Sequence, residues 1–137
     1  MYYYMKNHAL FYFRLILLIL GIVASIWHLI ISTHAIQFFT EQSNLFIETW
    51  LVLALVFQFK EKSFAPIQGK LRGALILYIA VTCLVNAAVL GGGELSYNNI
   101  IQHYVVPILS ILDWILTERN VQYRWSYLGI WLIYPLV

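Results

Sequence analysis

The chain alternates long apolar stretches with short polar junctions. Apolar residues dominate from Phe11 to Ser32, Asn44 to Phe59, Gly73 to Leu90 and Ile100 to Thr117, and a fifth run opens at Ser126 and reaches the last residue. A hydrocarbon core roughly 30 Å thick takes about 20 helical residues to cross, so each of the first four stretches reads as a span. The second is short unless its helix begins near Phe38, in which case Thr40 falls in the first turn. The fifth reaches only about 18 Å at 1.5 Å per residue. It would leave the Val137 carboxylate in hydrocarbon, so the natural protein is expected to continue beyond it. The pattern predicts an all-α fold: a polytopic transmembrane helix bundle of four complete spans plus a partial fifth, with residues 1–137 as one integral membrane domain.

Polar residues inside the spans fall on stripes. At about 100° per residue, Arg14, Gly21, Ser25, His28 and Ser32 share an arc of about 60° on the first span, and His103, Val106, Ser110, Asp113 and Thr117 an arc of about 80° on the fourth. Asn44 and Glu48 lie one turn apart on the second span, with Thr40 and Glu41 adjoining, and Thr82 and Asn86 lie one turn apart on the third. Polar side chains at membrane depth face the bundle interior or a water-filled cavity. Two readings follow: a polar chamber open at one end, containing His28, Asn44, Glu48, Asn86 and His103, or hydrogen bonds that only join helices. Ser25, Thr82 and Ser110 fit the second. A carboxylate as deep as Glu48 has to be protonated, hydrogen-bonded or paired, with His28 or His103 as candidate partners. Asp113 is expected to pair with Arg14 or Arg72, a structural ion pair between spans.

Composition and charge sharpen this picture. With 62% hydrophobic and 10% charged residues and a mean hydropathy of +0.79, the chain has too little polar surface to cover a soluble globule. All eight Lys and Arg residues fall at alternate junctions: Lys6 and Arg14, then Lys60, Lys62, Lys70 and Arg72, then Arg119 and Arg124. The positive-inside rule therefore puts the N-terminus in the cytoplasm, and Thr40 and His103 near the opposite bilayer face. A net charge of +2, made of such topological markers, gives no support for nucleic-acid binding. The first span is too long for a secretory signal core and has no small-x-small cleavage site. Tyr2, Tyr3, Tyr4, Phe11, Tyr12 and Phe13 read as interfacial anchors on the side where Trp125 and Tyr127 also fall. A single cysteine, Cys83, excludes an intramolecular disulfide and a thiolate metal site. The GGGELS segment is a turn after a span rather than a phosphate loop, there is no HExxH, and His28 and His34 are poorly spaced for ligands on one helical face. No metal and no cofactor is expected.

Two strings, FFTEQSNL (Phe38 to Leu45) and QHYVVPILSILDW (Gln102 to Trp114), resemble the signature regions of the androgen-induced and androgen-dependent tissue-factor-pathway-inhibitor-regulating membrane proteins. The likeness runs to the Tyr134-Pro135 pair, and through Asp113-Trp114 it is closer to the family's bacterial six-span relatives. The resemblance implies a multi-pass protein of the bacterial plasma membrane, with the rest of the fifth span and a sixth following the chain's last residues. Animal members are intramembrane threonine hydrolases of fatty acid esters of hydroxy fatty acids, so the resemblance implies Thr40 as nucleophile, His103 as base and membrane lipid esters as substrate. The chemistry is sound, since a threonine hydroxyl needs a neighbouring base and histidine is matched to that task. Glu48 is the candidate to orient the imidazole, and Asn44 or Asn86 to donate to the oxyanion. Thr40 also fits a helix N-cap, and His103 a plain interfacial hydrogen-bonding residue. The alternative function is a non-catalytic membrane protein that binds a lipid or conducts a small solute or proton through the chamber.

Overall fold

The computed structural model describes residues 8–60, 62–89, 91, 96–119 and 121–136. Tyr2, Tyr3, Tyr4, Lys6, most of the GGGELS turn and Val137 thus lie outside the described residues. The long helices are α1 (His8–Ile31), α2 (Phe39–Phe59) and α3 (Lys70–Ala88). A short α4 (Tyr97–Ile100) runs through a π-turn (Ile101–Val105) into α5 (Val106–Thr117), and α6 (Trp125–Trp131) and α7 (Ile133–Leu136) follow. Four helical segments are long and apolar enough to cross a membrane: His8–Ile31, Phe39–Phe59, Ala65–Ala88 and Tyr97–Thr117. The fold is an all-α bundle, and the second span does start early, with Thr40 in its first turn.

The bundle is apolar outside as well as inside. Ile16, Ile19, Val23, Ile26, Trp27 and Ile30 point outward from α1, while Arg14, Leu17, Gly21, Ala24 and Ser25 are buried. In water such an outer face would drive association, whereas in lipid it costs nothing. Small residues let the helices approach: a Cβ on Gly21 would lie 3.0 Å from Glu48 Oε1, and one on Gly73 would lie 2.6 Å from Tyr123 Cε1. Leu17, Ile47, Leu51, Ile79 and Val106 form an apolar layer across the middle of the bundle.

Below that layer, at the end that carries Arg14 and Arg72, a charged cluster ties three helices together. Arg14 Nε donates to Asp113 Oδ2 at 3.1 Å and its Nη2 to Oδ1 at 3.2 Å. Arg72 Nη2 donates to the same Oδ2 at 2.5 Å, and Arg72 Nη1 to Thr117 Oγ1 at 2.7 Å. Asp113 therefore pairs with both arginines, although the sequence suggested one or the other. Glu118 Oε1 lies 3.5 Å from Arg72 Nη1, so two guanidinium groups meet two carboxylates. All four side chains are buried, which such charges tolerate only when paired and hydrogen-bonded. The Trp50 ring lies 3.9 Å from the Arg72 Cζ and 5.3 Å from that of Arg14, and its indole N–H donates to Ile67 O at 2.6 Å. Outside the spans, Tyr123 donates to Glu118 Oε2 at 2.5 Å and accepts from Trp114 Nε1 at 3.0 Å. Burial first, then the bond to Glu118, push the Tyr123 hydroxyl up to about 12.

Candidate functional site

The second polar cluster lies at the opposite end, where the start of α2 meets the π-turn. Phe38, in extended backbone, occupies the N-cap of α2 without a side-chain cap, and Thr40 is already inside the helix. Thr40 is therefore not the N-cap that its position also allowed. Its carbonyl accepts from Ser43 Oγ at 2.9 Å and from Asn44 Nδ2 at 2.8 Å.

The π-turn has a local cause. Pro107 has no N–H to give to the carbonyl of His103, and its ring crowds that carbonyl. The backbone widens instead, and the Val106 N–H reaches back five residues to Ile101 O. In a wider turn each residue advances by less than the α-helical angle, so the upper part of the fourth span is rotated relative to the face that uniform spacing predicts. Gln102 becomes a buried residue there and His103 a half-buried one. The His103 ring lies against the Thr82 backbone of α3, and its Nδ1 is buried with no hydrogen-bond partner among the described residues.

Gln102 joins the two strings. Its side-chain amide donates to Glu41 Oε2 at 2.8 Å, and its carbonyl accepts from Asn44 Nδ2 at 3.3 Å. One Asn44 amide group thus bridges the carbonyl of Thr40 and that of the residue before His103. Glu41, fully buried, also bonds His28 Nδ1 at 2.8 Å, and the His28 ring stacks on Phe38 with centroids 6.4 Å apart. Ser43 Oγ and Thr82 Oγ1 share a hydrogen bond of 2.7 Å that links α2 to the stretch of α3 facing His103. Near the same end, Tyr134 of α7 donates to Gln42 and packs on Phe39, Phe46 and Tyr78.

Two expectations need correction. Glu48 pairs with neither His28 nor His103: its Oε1 accepts from Ser25 Oγ at 2.7 Å, where Gly21 leaves room on α1. The carboxylate on an imidazole is Glu41, on His28. Asn44 has both amide hydrogens committed to backbone carbonyls, which removes it as an oxyanion donor in this arrangement. Asn86 donates to the Tyr104 hydroxyl at 3.1 Å through one of its two amide hydrogens. The residues underrated by sequence reasoning are Glu41 and Gln102. Glu41 was legible, because Glu41, Asn44 and Glu48 follow an i, i+3, i+7 spacing that places all three on one helical face.

Among the described residues, no group of three or more His, Cys, Asp and Glu side chains is placed to hold a metal ion. A pocket of about 480 Å³ is found away from this site, between α3, α5 and α6 beside Gly73 and Tyr123. Comparison of the chain with known protein families, with curated proteins and with solved structures gives no match.

Proposed function

We propose that the chain is an intramembrane threonine hydrolase of lipid esters of the fatty acid ester of hydroxy fatty acid type, in the bacterial plasma membrane with its N-terminus in the cytoplasm. Thr40 is the nucleophile and His103 the base, near the outer leaflet. The observation that carries the reading is the Asn44 amide bridging the carbonyls of Thr40 and Gln102, because it holds the backbone of both strings at one end of the bundle. His103 Nδ1 supports it as a buried ring nitrogen without a hydrogen-bond partner among the described residues, open to take a proton.

In this mechanism an ester carbonyl enters laterally from the lipid and the Thr40 hydroxyl attacks it as His103 takes the proton. The tetrahedral intermediate collapses with cleavage of the ester C–O bond, and the imidazolium returns its proton to the leaving hydroxy acid. Water, deprotonated by the same imidazole, attacks the acyl-threonine, releases the fatty acid and restores Thr40. Glu41 and Gln102 position the π-turn rather than touch the substrate. An electrophilic hydrolase probe applied to membranes containing the protein should label it, with labelling lost in Thr40→Ala and weakened in His103→Ala. Equal labelling of both variants and the parent would overturn the assignment.

A second reading has its own observation. Glu48 is a buried intramembrane carboxylate that hydrolysis does not use, and such groups mark ion and proton paths. A non-catalytic protein that binds a lipid or conducts a solute or proton would show flux in proteoliposomes that depends on Glu48 and is indifferent to Thr40.

A further inference from the structure

The pocket beside Gly73 lies away from the Thr40 end and meets the charged cluster through Tyr123, which bonds Glu118. Its walls are mainly apolar, with Ile76 and Leu77 on α3 and Ile111 on α5, and Trp114, Trp125 and Trp131 also line it. Gly73 shapes it, since a Cβ there would lie 2.6 Å from Tyr123 and 2.7 Å from Trp131, so only glycine lets those rings close over one end. At about 480 Å³ the cavity is within the range of small-molecule and lipid sites.

Two lining residues are polar, and they differ in availability. The Tyr123 hydroxyl is committed to Glu118 and Trp114. Glu118 is itself held between Tyr123 and Arg72, so this acid is not free to neutralise a further base. Arg124 lines the pocket and is exposed, and among the described residues its side chain has no acidic partner. Lys70, exposed at the start of α3, is a further cation near α6, its ammonium 4.8 Å from the centre of the Tyr127 ring.

We propose that this pocket binds an anionic phospholipid, with an acyl chain between α3, α5 and α6 and the phosphate on the Arg124 guanidinium. The apolar walls reject a soluble anion, and the unpaired guanidinium matches a phosphate, which it can engage through two parallel N–H bonds. Basic residues at a membrane boundary favour anionic headgroups in the same way. The site is separate from Thr40 and His103, and it stands whether or not the chain is a hydrolase.

The test uses the tryptophans that line the cavity. The full chain carrying Trp27→Phe, which removes a lipid-exposed reporter on α1, is placed in phosphatidylcholine bilayers. Quenching is then compared for phosphatidylglycerol and phosphatidylcholine brominated on the acyl chain, at equal bromolipid fraction. The expected result is stronger quenching by the phosphatidylglycerol, an apparent preference of about fivefold, which is what one basic contact at an anionic headgroup provides. Arg124→Gln should bring the ratio toward one, and Leu77→Phe, which narrows the cavity, should lower quenching by both lipids. Arg119→Gln, at the same end but outside the lining, should leave the ratio unchanged. Equal quenching by both headgroups in the parent overturns the proposal, as does an equal effect of Arg119→Gln, which would mean diffuse surface attraction. Insensitivity to Leu77→Phe overturns it as well, because the acyl chain would then lie elsewhere.

Discussion

Asp113→Asn should be among the most damaging single substitutions in this chain. Asp113 receives four charge-assisted hydrogen bonds, from Arg14 Nε to both oxygens at 3.1 and 3.3 Å, from Arg14 Nη2 at 3.2 Å and from Arg72 Nη2 at 2.5 Å. Asparagine keeps the shape but removes the charge, and it turns an N–H₂ donor toward a guanidinium that is also a donor. The cluster of Arg14, Arg72, Asp113 and Glu118 is then left with one unbalanced buried positive charge. Unit charges about 3 Å apart at an effective dielectric of about 20 interact by roughly 5 kcal/mol. Measured losses on breaking one side of a buried pair are about 3–5 kcal/mol. The folding constant should fall by about two to four powers of ten. Reversible unfolding in mixed detergent micelles, titrated with a denaturing detergent and followed by circular dichroism, reads this directly. The charge balance makes a sharper demand: Arg14→Met with Asp113→Asn leaves Arg72 facing Glu118, so the double variant should be more stable than Asp113→Asn by at least about 1 kcal/mol. A loss below about 1 kcal/mol in the single variant, or a double variant no better than the single, would refute the account of the cluster.

Three further outcomes follow from the same geometry. Gly21→Ala puts a methyl group 3.0 Å from Glu48 Oε1, so the Ser25–Glu48 bond must shift and the same unfolding assay should show a loss of about 1–3 kcal/mol. Tyr123 holds its proton up to about 12 in the folded chain and to about 10 when unfolded, so its contribution is present below pH 10 and lost as pH rises through about 12. Tyr123→Phe should therefore be less stable than the parent at neutral pH, and its stability should fall less steeply between pH 10 and pH 12. Gln102→Leu removes the donor to Glu41, and should cost about 1–3 kcal/mol and weaken probe labelling if Thr40 and His103 work as proposed. Unchanged stability would show that the contact between the two strings does not depend on that side chain.

Where the chain can cross a membrane, and which residues are too polar to face lipid, can be read from the order of residues alone. Both follow from local rules, the rise and turn of a helix and the cost of an unpaired polar group in hydrocarbon. Arg14 and Asp113, 99 residues apart, were legible as partners because each is a charge near the same end of its span. Which polar side chains meet depends on how the helices pack. Glu48 bonds Ser25 because Gly21 lets α1 and α2 close on each other at that level, and no spacing along one helix reports how near its neighbour comes. Gln102 takes the place on the buried face that uniform spacing gave to His103, because the missing N–H of Pro107 widens one turn and rotates everything above it. The end of the bundle that holds Thr40 was therefore readable from period and charge. The contacts around it depend on helix crossing and on one irregular turn, neither of which a regular period encodes.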